Sequence, residues 1–282
     1  MRHPEKWRET ADPYALPYRQ FSLLEVIGYP HASNDVFQVT GLYGGKETEA
    51  YIKVARRQDA DLENEIRTIN AIHCPLAPEI IDHDAEKKLF CVTAAKPGLR
   101  LSMIVGDNSN LASLDYLFEY GQTLAKLHAQ QGSFPDVKDR KFFHIPDRQY
   151  FTELELDFVY DYLIANQPKT IHKCFCHGDF HYANILWHEK RMSAILDFEL
   201  SGCGNRDFDI AWALILRPGQ KFLKTQQEIA LFLDGYLSVG SCNPDDVRYY
   251  MVLIYSYFYK VGSDDPDYQS FLRNLFHTYC IN

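Results

Sequence analysis

The sequence predicts an α+β protein, mainly β-sheet up to residue 96 and mainly helical from residue 97 to residue 282. Three observations predict it. The first third carries short runs rich in aromatic and β-branched residues, separated by turn signals. After Lys96-Pro97-Gly98, apolar residues fall instead at helical spacing. Late in the chain, strand-like runs frame a crowded polar stretch, "CHGDFHYANIL", from Cys176 to Leu186.

Taken in order, "FSLLEVIGYP", "NDVFQVTGLY" and "ETEAYIKVAR" are β-like, and the second and third are joined by the hairpin signal "GGK". "DADLENEIRTINAIH" puts Leu62, Ile66, Ile69 and Ile72 on one helical stripe. Short strands follow around Ile80–Ile81 and Leu89–Thr93. "LASLDYLFEYGQTLAKLHAQ" spaces Leu114, Leu117, Phe118, Leu124 and Leu127 as a helix. A further helix is expected after Pro146, and "KCFC", "NILW" and "SAILDF" interrupt the helical part as strands. Tyr249, Tyr250, Tyr255, Tyr257 and Tyr259 could supply an aromatic cage for a quaternary ammonium, but their helix is apolar nearly all round, which favours core packing for most of them.

Composition excludes several classes. Of the residues, 46% are hydrophobic and 24% charged, so a folded globular chain is expected. The net charge of −9, spread evenly along the chain, argues against a nucleic-acid partner. No apolar run approaches the roughly 18 residues of a membrane span. The opening "MRHPEKWRETADPY" lacks the apolar core of a signal peptide. The seven cysteines form no C-x-x-C pair, which points to reduced thiols and a cytoplasmic location.

Three explanations compete for the polar stretch: a metal site, a phosphoryl-transfer loop, or a plain polar turn. His177 and His181 stand four apart, as in a zinc helix, but the glutamate base is missing and Gly178 breaks regular helix. A plain turn leaves unexplained the second acidic site a short hairpin away, Asp197 in "AILDFE". Phosphoryl transfer explains both. It needs an aspartate to orient the attacking hydroxyl and oxygen ligands to hold Mg²⁺ against nucleotide phosphates. Asp179 and Asn184 keep the Asp-to-Asn spacing of kinase catalytic loops, and Asp197 follows at the end of the next strand.

The N-terminal part should then hold the nucleotide. Lys53 is the one charge inside the run "YIKV", suited to reach phosphates. Its partner is Glu63 or Glu65. At about 100° per residue from Leu62, Glu65 lies near −60°, inside the apolar stripe, and Glu63 near 100°, outside it. A carboxylate facing the core needs a cation, so Glu65 is the expected partner. "GLYGGKE" does not match a P-loop, because Thr40 and Glu47 occupy the first-glycine and Ser/Thr positions.

These residues resemble the aminoglycoside phosphotransferase and choline kinase group of kinase-like enzymes. "HGDFHYANIL" looks like that group's H-G-D-x-x-x-x-N loop, and "ILDFELSGCGNRDFDIAW" like its metal segment. "FEYGQTLAKLH" is similar to its helix after the hinge, and "SNDVFQV" to its nucleotide-covering loop and second strand. The resemblance implies a two-lobed protein-kinase-like fold, with an antiparallel β-sheet N-lobe carrying one main helix and a mainly α-helical C-lobe. Residues 1–96 would bind the nucleotide, and residues 97–282 would supply catalysis and the acceptor pocket. The implied activity is phosphorylation of a small-molecule hydroxyl by ATP or GTP with Mg²⁺. Asp179 would be the catalytic aspartate; Asn184 and Asp197 would bind the metal; Lys53 and Glu65 would position the phosphates. Ser33 and Asn34 would lie over the phosphates, while Ala94 C=O and Lys96 N–H would meet the purine, with Thr93 behind it. Asp209 would brace the catalytic loop, cap its own helix, or both.

Two departures narrow the reading. Glu199 stands where kinases carry the glycine of D-F-G, and the short span from Asp197 to Asp209 leaves no room for an activation loop, so protein substrates are not expected. A small-molecule acceptor, cationic ones included, is the expected partner. Glu153, Glu155, Asp157 and Asp161 are candidates for a cation-binding wall, though a solvated face is the favoured explanation, and the acidic loop Ser263–Asp267 is another candidate rim. An amino-alcohol or sugar kinase and a catalytically silent binding protein are the alternatives.

Overall fold

The structure is a computed structural model that describes residues 11–30 and 34–281. Its N-terminal half-molecule is built on one antiparallel sheet. Strands β1 (Phe21–Gly28), β2 (Asp35–Tyr43), β3 (Lys46–Val54), β4 (Ile80–His83) and β5 (Phe90–Ala94) lie in the order β1-β2-β3-β5-β4. Strict alternation along β2 and β3 sends Phe37, Val39, Ala50 and Ile52 into a fully buried face with Phe90 and Val92. Gly44 and Gly45 close the β2–β3 hairpin as the "GGK" signal predicts.

Helix α1 (Leu62–Ala71) covers the other face. It starts at Asp61, whose side chain accepts the Asn64 N–H. Leu62 and Ile66 pack on Cys91 of β5, so the helix stripe and the central strands share one small core.

After the sheet come β6 (Leu99–Arg100), α2 (Leu101–Val105), α3 (Leu114–His128), α4 (Arg148–Glu153) and α5 (Asp157–Ala165). Next are β7 (Lys173–Cys176), β8 (Ile185–His188), β9 (Arg191–Ile195) and β10 (Gly202–Asn205). The chain then runs through α6 (Arg206–Leu214), α7 (Gln226–Leu237), α8 (Pro244–Val261) and α9 (Pro266–Cys280). Two small sheets, β6-β8-β9 and β10-β7, sit among these helices. Helices α3 and α7 cross where Gly121 and Gly235 meet; a Cβ at either would stand 1.9 Å from a carbonyl oxygen of the partner helix. The architecture is the two-lobed one the resemblance implies.

The helix expected after Pro146 is in fact two, α4 and α5. The chain breaks at Glu155, which takes a left-handed φ of 58° so that Phe151 and Leu156 can both be fully buried. Its acids do not form a wall. Asp157 and Asp161 pair with Arg148, and Glu155 with Arg273, on the surface. Asp265 of the acidic loop caps α9. On α8, Tyr249, Tyr250, Tyr255 and Tyr259 are buried, as core packing requires. Among the described residues, no helix is long and apolar enough to cross a membrane.

Candidate active site

Strand β3 carries Lys53 between β2 and β5, opposite Cys91, on the face that α1 covers. Its ammonium meets three carboxylates. Glu65 Oε2 lies 2.7 Å away, Asp197 Oδ1 2.7 Å and Glu199 Oε2 2.9 Å. Burial works to lower the Lys53 pKa, and the three acids outweigh it, holding it well above the usual lysine value. Glu65 is pushed up by burial, with Lys53 opposing. Of the two acids the sequence offered on α1, the buried one makes this contact, and Glu63 is exposed.

Glu199 was legible in the sequence only as a departure from glycine. In the fold it is a buried junction that also accepts from Arg57 Nη2 at 3.1 Å, Asp61 N at 2.9 Å and Asn34 Nδ2 at 3.0 Å. Asn64 on α1 donates to the carbonyls of Glu199 and Ser201. The sheet, its helix and the segment after β9 are thereby tied at one place. An acid two residues after Asp197 in an apolar run was the signal available.

The second group of residues is built at the end of β7. Gly178 has φ 80°, and a Cβ there would stand 2.3 Å from Leu200 O, so only glycine fits. Asp209, on α6, accepts the N–H groups of His177 at 2.9 Å and Gly178 at 3.0 Å. Behind it, His128 Nε2 lies 3.2 Å away and His128 Nδ1 meets Tyr236 Oη at 2.7 Å. Burial would raise the Asp209 pKa, but the His128 hydrogen bond and charge hold it below the ordinary carboxylate value. Asp209 therefore braces the loop and does not cap its helix; that cap is Asn205, which accepts from Asp207 N and Phe208 N.

The loop presents Asp179 with both oxygens engaged. Oδ1 accepts from Trp212 Nε1 at 2.8 Å, and Oδ2 from Asn184 Nδ2 at 3.0 Å. His181 Nε2 lies 3.3 Å from Oδ2, and Arg217 Nη2 3.8 Å from Oδ1. Burial opposes ionisation, but His181, Arg217 and Trp212 prevail and depress the pKa far below the carboxylate range. The group is an anion at neutral pH. Trp212 and Arg217 were not singled out in the sequence, because they come from positions that only folding brings to Asp179; His181 was weighed there only as a metal ligand. The zinc-helix spacing has no counterpart: His177 is buried, with Nε2 on Leu196 O and Nδ1 accepting from Asp179 N.

The β8–β9 hairpin links the two groups. Its register pairs Ile185 with Ile195, and Leu196 N donates to Asn184 O at 2.7 Å, so Asn184 and Asp197 are held beside one strand end. Asn184 spends its Nδ2 on Asp179, and among the described residues its Oδ1 accepts no hydrogen bond. Asp197 sits in left-handed backbone (φ 65°) with its side chain 42% exposed. The Asn184 amide oxygen and the half-exposed Asp197 carboxylate, one of whose oxygens Lys53 engages, form a hard oxygen donor set, which fits Mg²⁺.

A family model, the phosphotransferase enzyme family, matches residues 25–240. The chain belongs to this family. Curated protein sequences give no match. Solved structures share the fold at low identity. A choline/ethanolamine kinase family protein from Mesorhizobium loti is 16% identical, with 95% of this chain and 88% of that one covered and a TM-score of 0.54. A thermostable mutant of aminoglycoside phosphotransferase APH(4)-Ia, in ternary complex with ADP and hygromycin B, is 13% identical over 93% and 94% of the two chains, at TM-score 0.60. Amicoumacin kinase hAmiN, in complex with AMP-PNP, Ca²⁺ and Ami, is 16% identical over 92% and 87%, at TM-score 0.53.

The remaining residues expected to serve a nucleotide in this phosphotransferase fall in two places. Thr93 lies two residues along β5 from Cys91, hence on the same face as Lys53. Ala94 N and Ala95 N donate to Glu79 O and Glu49 O as the strand ends, and Lys96 Nζ reaches Pro75 O. Ser33 lies outside the described residues. Asn34 is buried, its amide committed to Glu199 and its oxygen to Arg56 N. Its place is fixed by Glu199, a junction invisible to a local motif.

Proposed function

We propose that this chain is a small-molecule kinase that transfers the γ-phosphoryl group of ATP or GTP to a hydroxyl, with residues 1–96 as the nucleotide lobe and residues 97–282 as the acceptor lobe. The observation that carries the reading is the joining of Lys53, Glu65 and Asp197, far apart in sequence, at one ammonium. The loop bearing Asp179 supplies the neighbouring Asn184.

Lys53 neutralises charge on the nucleotide phosphates, and Glu65 and Glu199 fix its direction. Asn184 and Asp197 would hold Mg²⁺, which when bound supplies a cation against the phosphate oxygens. Asp179 orients the acceptor hydroxyl and takes its proton as the new oxygen–phosphorus bond forms and the bond to the leaving diphosphate breaks. A depressed pKa makes Asp179 a weak base, so orientation and late proton uptake are its main contributions. The fold neighbours crystallised with ADP or AMP-PNP support a nucleotide donor. The seven free cysteines support a reducing, cytoplasmic setting. Burial of most of the α8 tyrosines argues against an aromatic cage for a quaternary ammonium there.

The test is calorimetric titration with ATP and GTP, with and without Mg²⁺, followed by turnover against a panel of hydroxyl compounds. Nucleotide affinity should rise with the metal. Asp179→Asn should lower turnover by about 10²–10⁴ with nucleotide affinity nearly unchanged. Metal-independent affinity, or an Asp179→Asn protein that turns over normally, would overturn the proposal.

A further inference from the structure

Two guanidinium groups stand on Trp212, whose Nε1 donates to Asp179, and neither has a close acid partner among the described residues. Arg217 follows α6; its ion pair with Asp179 is long, at 3.8 Å, and its Nε and Nη2 are buried with no hydrogen-bond partner. The short contacts to Asp179 are taken by Trp212 and Asn184, so Arg217 is not needed to satisfy the carboxylate. Arg140 lies in the segment before α4 and, among the described residues, makes no side-chain ion pair. Burial lowers its pKa from the usual arginine value, with the charges of Asp179 and Asp209 opposing.

Both guanidiniums lie over the ring of Trp212, with Cζ 5.1 Å from the centroid for Arg140 and 4.7 Å for Arg217. Phe143 and Phe258 carry them further, at 4.9 Å and 5.8 Å. Stacking fixes a guanidinium plane while leaving its N–H edge for a planar or tetrahedral anion. A buried donor without a partner is costly, and is retained where a ligand completes it. Arg140 also lines a cavity of about 330 Å³ with Gly178, Asp209, Asp139 and Lys173, behind the catalytic loop; Asp179, Trp212 and Arg217 do not line it.

We infer that the acceptor carries an anionic group, a carboxylate or a phosphate, held by Arg217 and Arg140 while its hydroxyl meets Asp179. This deepens the phosphotransfer reading and rests on it for the role of Asp179. A cationic acceptor would instead bring a positive charge against two arginines. The Asp179 carboxylate offsets only part of that repulsion.

The experiment is calorimetric binding of four matched three-carbon probes, with Mg²⁺ and ADP present: glycerate, glycerol 3-phosphate, glycerol and the amino-diol serinol. Wild type should bind one or both anions at least about 10-fold more tightly than glycerol, with serinol weakest; which anion wins separates carboxylate from phosphate. Arg217→Met and Arg140→Met should each bring the preferred anion close to glycerol's level, while Arg217→Lys keeps part of the preference, because charge remains and the fork is lost. Thermal melts of each variant confirm folding, and two independent arginines keep the test open if one variant fails to fold. Equal affinities across the probes, no binding of any, preference for serinol, or an anion preference untouched in both Met variants would overturn the inference. An anion preference without Mg²⁺-dependent nucleotide binding would overturn the phosphotransfer reading instead.

Discussion

Replacing Lys53 with methionine isolates the charge at the junction, since methionine keeps most of the apolar stem and removes the ammonium. Glu65 and Glu199 are nearly inaccessible at their side chains (6% and 4%), and both would lose their nearest cation. Asp197, at 42%, is screened by water and adds little. Breaking a buried pair by deleting one partner costs about 3–5 kcal/mol, because a desolvated charge is left behind. For a chain of this size that is a fall in thermal midpoint on the order of 10 °C. The pH dependence follows from Glu65. Its folded pKa is already raised by burial, and without Lys53 it rises further. A group raised on folding contributes stability that is present at low pH and is lost as pH climbs through its folded value. The penalty should therefore be largest near neutrality and shrink as pH falls toward the ordinary carboxylate value. Circular-dichroism melts at about pH 7.5 and about pH 5 measure it against wild type. A variant that melts within about 2 °C of wild type near pH 7.5 would refute the account.

Asp197→Asn should abolish the gain in nucleotide affinity that Mg²⁺ confers while leaving metal-free binding near wild type; retained metal dependence in calorimetry would remove Asp197 from the donor set. Lys53→Ala and Glu65→Ala should combine less than additively in turnover, since either breaks the same pair, and strict additivity would separate them. Gly178→Ala should cost at least about 2 kcal/mol and most of the activity, because its left-handed backbone and the 2.3 Å approach to Leu200 O admit no Cβ; denaturant titration measures it. Asp209→Asn should slow turnover more than it weakens nucleotide binding, because it releases the N–H groups of His177 and Gly178 that aim Asp179; equal losses in both would contradict a bracing role.

The helical stripe of α1, the alternation of β2 and β3 and the glycine hairpin between them are local patterns, so the sequence alone determined those elements. It also determined the order and spacing of Asp179, Asn184 and Asp197, because a loop and a hairpin fix their separation over a few residues. The choice of Glu65 over Glu63 was legible for the same reason: helix angle decides which acid faces the core. The break at Glu155 was not, since it depends on where Phe151 and Leu156 find cover. Strand β10 was not either, because glycines at 202 and 204 carry little β preference and the strand exists only where β7 pairs with it. Only the tertiary structure turned Glu199 from an anomaly into a junction and bound the Asn34 amide to it. It alone stacked Arg140 and Arg217 on Trp212 beside Asp179. The physical reason is common to these cases. A buried polar group has meaning only through its partners, and most of these lie tens to more than a hundred residues away along the chain.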